Sequence, residues 1–151
     1  MPLNHFNPKY QGIQKSRLNM RVLKFQKLIE ALSEKEISES VLHSINDEID
    51  KANQSQSESA LALQLQKSYK KILKTAEKEL NLVAKDHYRN MWMALGMTVF
   101  GIPFGVAFGA ALNNYGFIGV GLPIGFGIGI AIGTKKDKEA QEQGRQLNIE
   151  I

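Results

Sequence analysis

The 151-residue chain contains no cysteine. That absence excludes a disulfide framework, a thiolate metal site, a cysteine nucleophile and an acylated lipoprotein anchor. Charge is missing from one long stretch: residues 91–134 hold no Asp, Glu, Lys or Arg, so all 34 charged residues fall in the other 107 positions. The net charge of +4 and mean hydropathy of −0.24 therefore average a polar part with an oily one. Glycine and proline are both absent between Gly12 and Gly96, whereas eleven of the thirteen glycines lie from Gly96 to Gly133. A run of 83 residues without either breaker reads as helical. The opening, MPLNHFNPKYQG, has neither the apolar run nor the small-residue cleavage site of a secretory signal, so the N-terminal part is expected on the side of synthesis.

Catalytic constellations are also lacking. His5, His43 and His87 lie in different segments, no His or carboxylate cluster has metal-ligand spacing, and no phosphate-cradling GxxxxGK[ST] occurs. Asp86 and His87 are adjacent, and neighbours in sequence do not share a helix face. The expectation is no enzyme, no catalytic residue, no cofactor and no metal.

The breaker-free half divides by hydrophobic spacing. After an N-terminal extension, residues 1–12, a helical domain over 13–90 is expected to face the cytosol. Leu18, Val22, Phe25, Leu28, Ile29 and Leu32 recur at steps of three and four and predict a helix over 13–32. Ser33 and Glu36 form a capping-box pattern ahead of a second helix, 34–51, with Ile37, Val41, Ile45 and Ile49 as its stripe. The polar run from Ala52 to Ser57 is a turn. A third helix, 59–90, carries Leu61, Leu65, Tyr69, Ile72, Ala76, Leu80 and Val83 at near-heptad spacing, with no stop signal before Met91. Charge follows the same divisions: six bases and one acid over 9–30, one base and six acids over 33–50, eight bases and four acids over 51–90. Plus, minus, plus suits a helical bundle with the acidic helix between two basic ones, or a coiled coil. Lys15, Arg17, Arg21, Lys24 and Lys27 read as a solvated face or a membrane-surface contact; no aromatic interleaving or motif points to nucleic acid.

The charge-free half has the dimensions of a membrane hairpin, residues 91–133. Met91–Leu112 supplies 22 residues, about 33 Å of helix against a bilayer core of about 30 Å, and Tyr115–Gly133 supplies 19 more. Only Asn113 and Asn114 separate the spans 91–112 and 115–133, so they must turn back on each other. Lys85, His87 and Arg89 precede the first span and Lys135, Lys136 and Lys138 follow the second, which places both termini on the cytoplasmic side, with the tail 134–151. Tyr88, Arg89, Trp92, Lys135 and Lys136 would sit at the inner interface and Tyr115 at the outer. The alternating end of that tail, Leu147 to Ile151, suits an edge strand or docking on the helical domain.

The two spans repeat one pattern. Gly101–Leu112 aligns at an offset of twenty with Gly121–Ile132, identical at five of twelve positions. Glycines recur every fourth residue at Gly101, Gly105 and Gly109, and at Gly121, Gly125, Gly129 and Gly133. In lipid, helices associate through close van der Waals contact, and such stripes let backbones approach within the hairpin or between copies, with Gly116, Gly119 and Gly127 on other faces suggesting an oligomer. Pro103 and Pro123 withdraw donors from the carbonyls of Val99 and Gly119, giving two bends at equivalent points.

These residues, with the exit Gly133-Thr-Lys-Lys-Asp-Lys138 and Gly144-Arg-Gln-Leu147, resemble a loose family of small bacterial glycine-zipper membrane proteins, across about a third of the chain. The resemblance is one of packing. It implies an all-α integral membrane protein of a bacterial cytoplasmic (inner) membrane, with a two-helix glycine-zipper hairpin and homo-oligomeric assembly. Two functions follow as expectations: an oligomer that alters membrane permeability under control of its cytosolic helices, or a non-conducting multimeric anchor that displays those helices to a cytosolic protein.

Overall fold

The computed structural model describes residues 2–9 and 16–150. It is mainly helical: α1 (Ser16–Ser33), α2 (Glu39–Asn53), α3 (Glu58–Leu80), β1 (Val83–Lys85), α4 (His87–Gly96), α5 (Ile102–Ala111), α6 (Ile118–Glu142) and β2 (Gln146–Glu150). The expected start of the first helix at 13 lies outside the described residues. Two compact units form. One holds the chain through Val83 together with Leu147–Ile149, and the other holds Ala84–Gln146.

In the first unit the apolar face of α1 is the one its spacing marks: Leu18, Val22, Phe25, Leu28 and Leu32 are buried, with Ile29 at the margin. The second helix begins five residues later than expected. Ser33 ends α1, its hydroxyl donating to the Glu30 carbonyl at 2.7 Å, and so cannot form a capping box with Glu36. Ser38, extended at φ −65° and ψ 151°, is the N-cap instead. Ser57 caps α3, accepting from the Ala60 N–H at 3.2 Å. The buried stripe of α3 is Leu61, Leu65, Ser68, Ile72 and Ala76, so the core takes Ser68 where spacing suggested Tyr69.

Ser68 is in the core because Glu48 is. The Glu48 carboxylate, only 4% exposed, accepts from Lys51 Nζ at 2.7 Å, Lys71 Nζ at 2.8 Å and Ser68 Oγ at 2.9 Å. Burial alone would push its carboxyl upward, but the bonds from both ammonium groups and the hydroxyl outweigh that and lower it to about 2. Lys51 in turn is held above its ordinary range by its bond to Glu48. This node joins α2 to α3. It is α3 that packs against both other helices, whereas α1 and α2 approach each other at few points. The basic third helix is thus central, correcting the expectation of an acidic middle helix. One reason is chemical: α2 has a buried acid to place and α3 supplies a lysine to meet it.

Residues 2–9 of the N-terminal extension are tied to the helical unit. The Asn4 amide N–H donates to Asn46 Oδ1 at 2.8 Å, Asn46 Nδ2 to the Pro2 carbonyl at 3.2 Å, and Asn53 Nδ2 to the His5 carbonyl at 2.9 Å. Asn46, Asp50 and Asn53 form one polar row on α2: the two asparagines meet backbone groups of the extended segment, the Asn7 N–H among them at 2.7 Å, and Asp50 accepts from the Asn4 side-chain amide at 3.0 Å. Phe6 completes the contact, edge-on to Phe25 with centroids 4.9 Å apart.

The third helix ends ten residues earlier than expected. Asn81 turns left-handed at φ 55° and the Leu82 N–H returns to the Ala76 carbonyl at 3.0 Å, an αL stop that Asn tolerates better than most residues. Val83–Lys85 then pairs with Gln146–Glu150 in a two-stranded sheet. Leu147 and Ile149 are buried in the first unit, so the tail both pairs and docks.

Candidate functional site

The second unit is a helical hairpin built from the charge-free stretch. Two helical segments, His87–Ala111 with 25 residues and Tyr115–Glu142 with 28, are long and apolar enough to cross a membrane. Asn113 and Asn114 make the turn by different means. Asn113 is left-handed at φ 48°, with the Asn114 N–H bonded to the Gly109 carbonyl at 3.0 Å, and the Asn114 side chain accepts from the Gly116 N–H at 2.9 Å. The second helix does not stop at Gly133. It runs on through Thr134–Glu142, a segment of good helix formers, until Gly144 at φ 68° closes a Schellman turn, its N–H bonded to Gln141 and that of Arg145 to Ala140.

The glycines meet across the hairpin. A Cβ on Gly121 would strike the Gly101 carbonyl and the Gly105 N, one on Gly125 the Gly96 carbonyl, one on Gly129 the Trp92 carbonyl, and one on Gly133 the Arg89 backbone. Gly105 is closed in turn by the Ile118 carbonyl, while Gly109 only touches the Ile118 side chain at 3.4 Å. All eight of these glycines, counting Gly96, are buried. Gly119 and Gly127 have open space around them.

Gly96 escaped the four-residue pattern because it stands five residues before Gly101. On a regular α-helix residues five apart point about 140° away from each other. A π turn over Met97–Gly101 absorbs the extra residue: the Ile102 N–H bonds to the Met97 carbonyl, five residues back. Pro103, which has no N–H to offer Val99, follows directly, and Thr98 Oγ1 donates to the Leu95 carbonyl at 3.0 Å. The spacing of five just ahead of a proline was the available signal. Pro123 has no such turn beside it, since α6 is α-helical throughout. The two prolines are equivalent in sequence and different in structure.

At its polar end the hairpin is closed by a residue not singled out from sequence. Asp137, one helical turn beyond Gly133, is 6% exposed and accepts from the backbone N–H groups of Tyr88 at 2.9 Å and Arg89 at 2.8 Å. These are orphan donors of the first turn of α4, whose own N-cap residue, Asp86, makes no side-chain cap. An anion at a helix N-terminus also opposes the positive end of its dipole. Nearby, Lys136 Nζ lies 5.8 Å from the Trp92 ring centroid, within cation–π range. Lys135 and Arg89 are exposed, Tyr88 is half-buried, and Tyr115 stands out at the opposite end, 80% exposed. Asp137→Asn keeps the shape but halves the acceptors and removes the charge. It is expected to lower hairpin stability by about 1 kcal/mol and to speed hydrogen exchange at Tyr88 and Arg89; unchanged exchange at both amides contradicts the capping role.

Among the described residues no three His, Asp or Glu side chains come together as metal donors. No family model matches the chain, and no curated protein or solved structure is significantly similar to it.

Proposed function

We propose that the chain is a membrane-anchored protein whose hairpin spans a bilayer and holds the N-terminal helical unit at the cytoplasmic surface without conducting. The observation that carries this reading is the direction of the glycine faces. Gly101, Gly105, Gly121, Gly125, Gly129 and Gly133 close on the partner helix of the same chain. What remains outside is mostly apolar: Val99, Ile102, Phe104, Val106, Phe108 and Val120 are exposed, and the exposed Thr98 hydroxyl is bonded to the Leu95 carbonyl of its own helix. Such a surface suits lipid and leaves no polar lining for a water path. The basic flanks at Arg89, Lys135 and Lys136 favour a topology with both ends cytoplasmic. Purified full-length protein reconstituted into liposomes is expected to resist extraction by alkaline carbonate and to leave an entrapped dye sealed. Extraction by carbonate contradicts the anchor; dye release contradicts the absence of conduction.

The permeability reading keeps one specific support. Gly119 and Gly127, two turns apart on α6, offer open space for a second copy. In that case Gly119→Leu with Gly127→Leu would abolish both a detergent-stable oligomer and dye release.

A further inference from the structure

The first unit is electrically one-sided. On α1 no carboxylate occurs from Arg17 to Ile29, and on α3 none from Ser59 to Ala76, yet these segments carry four cations each. Lys71 is committed to Glu48 on the α2 side. Six of the other seven fall into rows, with Lys27 apart from them. Arg17, Arg21 and Lys24 are spaced i, i+4, i+7 along α1, Lys67, Lys70 and Lys74 i, i+3, i+7 along α3, and all six are exposed. Acids are concentrated on α2, where Glu39, Asp47, Glu48 and Asp50 face a single Lys51. Charge kept only for solubility has no reason to separate in this way.

Three of these cations, Arg21, Lys24 and Lys70, line a groove of about 200 Å³ between α1 and α3 together with Leu65, Gln66 and Tyr69. Arg21 is fixed at its edge, Nη1 donating to the Ala62 carbonyl at 2.9 Å, which leaves its other guanidinium N–H groups to point elsewhere. Apolar side chains stand among the cations instead of being withdrawn: Met20 is 55% and Leu63 53% exposed. Cations interleaved with exposed aliphatic side chains are the composition of a surface that lies in a bilayer interface, where the ammonium groups meet phosphates and the apolar ends enter the acyl boundary.

We infer that the α1–α3 face docks on an anionic phospholipid surface. The inference rests on the hairpin being membrane-inserted, because a tethered unit needs only a weak contact of this kind to be oriented. Nucleic acid, the other polyanion such a face could attract, gains nothing from Met20 and Leu63 and is the rival outcome.

The full chain permits a direct test, since it has no cysteine and a single tryptophan. Met20→Cys is labelled with an environment-sensitive dye, and the protein is reconstituted into zwitterionic phosphatidylcholine vesicles or vesicles with a quarter phosphatidylglycerol. Brominated acyl chains then quench Trp92 if the hairpin is inserted, independently of what the dye reports. The expected result is Trp92 quenching in both lipids and a blue-shifted dye only in the anionic vesicles, reversed by 0.5 M salt. The triple variant Lys24→Gln, Lys67→Gln, Lys70→Gln should weaken the dye response at least about tenfold in anionic-lipid titration while Trp92 stays quenched and helicity is unchanged. A quenched Trp92 with a dye that remains water-exposed in anionic vesicles overturns the docking inference alone. An unquenched Trp92 overturns the anchor. A dye response that requires added oligonucleotide and not anionic lipid overturns the choice of partner.

Discussion

Gly125→Leu is expected to separate α4 from α6 and to cost the hairpin at least about 3 kcal/mol. The reason is steric and local. The first atom of any side chain at Gly125 would strike the Gly96 carbonyl and come 2.7 Å from the Gly101 Cα, and backbone cannot rotate away as a flexible side chain does. Gly121→Leu should behave alike, because its Cβ meets the Gly101 carbonyl and the backbone of Gly105. Gly127 is the internal control, with nothing within 4 Å of a built Cβ, so Gly127→Leu should change stability by no more than about 1 kcal/mol. Denaturation by SDS, followed through Trp92 fluorescence, measures all three, since Trp92 lies against Gly129 in the same contact. Equal effects at Gly125 and Gly127 would show that the contact between the helices is not what the glycines serve.

The second large effect concerns acid. Glu48 has a folded-state pKa near 2 against an ordinary 4.5. A depressed carboxyl adds stability that is fully present above its unfolded value and is lost as pH falls toward the folded one. The first unit should therefore lose up to about 3 kcal/mol between pH 5 and pH 2 from this group alone. Glu48→Gln should remove a comparable amount at pH 7, about 2–3 kcal/mol, and flatten the acid limb over the same interval. Chemical denaturation followed by circular dichroism across pH provides both numbers. An acid limb as steep in the variant as in the parent would assign the effect to other carboxylates. Lys71→Met separates the inter-helix bond from the within-helix one, because Lys51 stays on α2 beside the acid.

Several elements were legible because they depend on short-range chemistry. The face of α1 follows from steps of three and four between Leu18 and Leu32, and burial agrees with it at every position except Ile29, which is half-buried. The helical character of residues 91–111 and 115–133, and the reversal at Asn113 and Asn114, follow from composition and from what a two-residue turn requires. Stripes of glycine every fourth residue marked a close approach of backbones before any partner was known.

Other elements depended on partners far along the chain. Val83–Lys85 continues a helical apolar pattern and becomes a strand because Gln146–Glu150 is there to pair with it. Ser68 displaces Tyr69 from the core because Glu48, twenty residues earlier, needs its hydroxyl. Gly96 joins the glycine face through a π turn that changes the helical period, and Asp137 is a cap only because the start of α4 lies beside it. By itself, then, the sequence determined which segments are helical, which faces are apolar and which stretch is free of charge, since these are properties of neighbours within a turn or two. The tertiary structure alone decided where helices stop, which polar groups are buried, and that the glycine faces close on each other within one chain, because unpaired backbone and buried charge are satisfied by whatever group folding brings alongside.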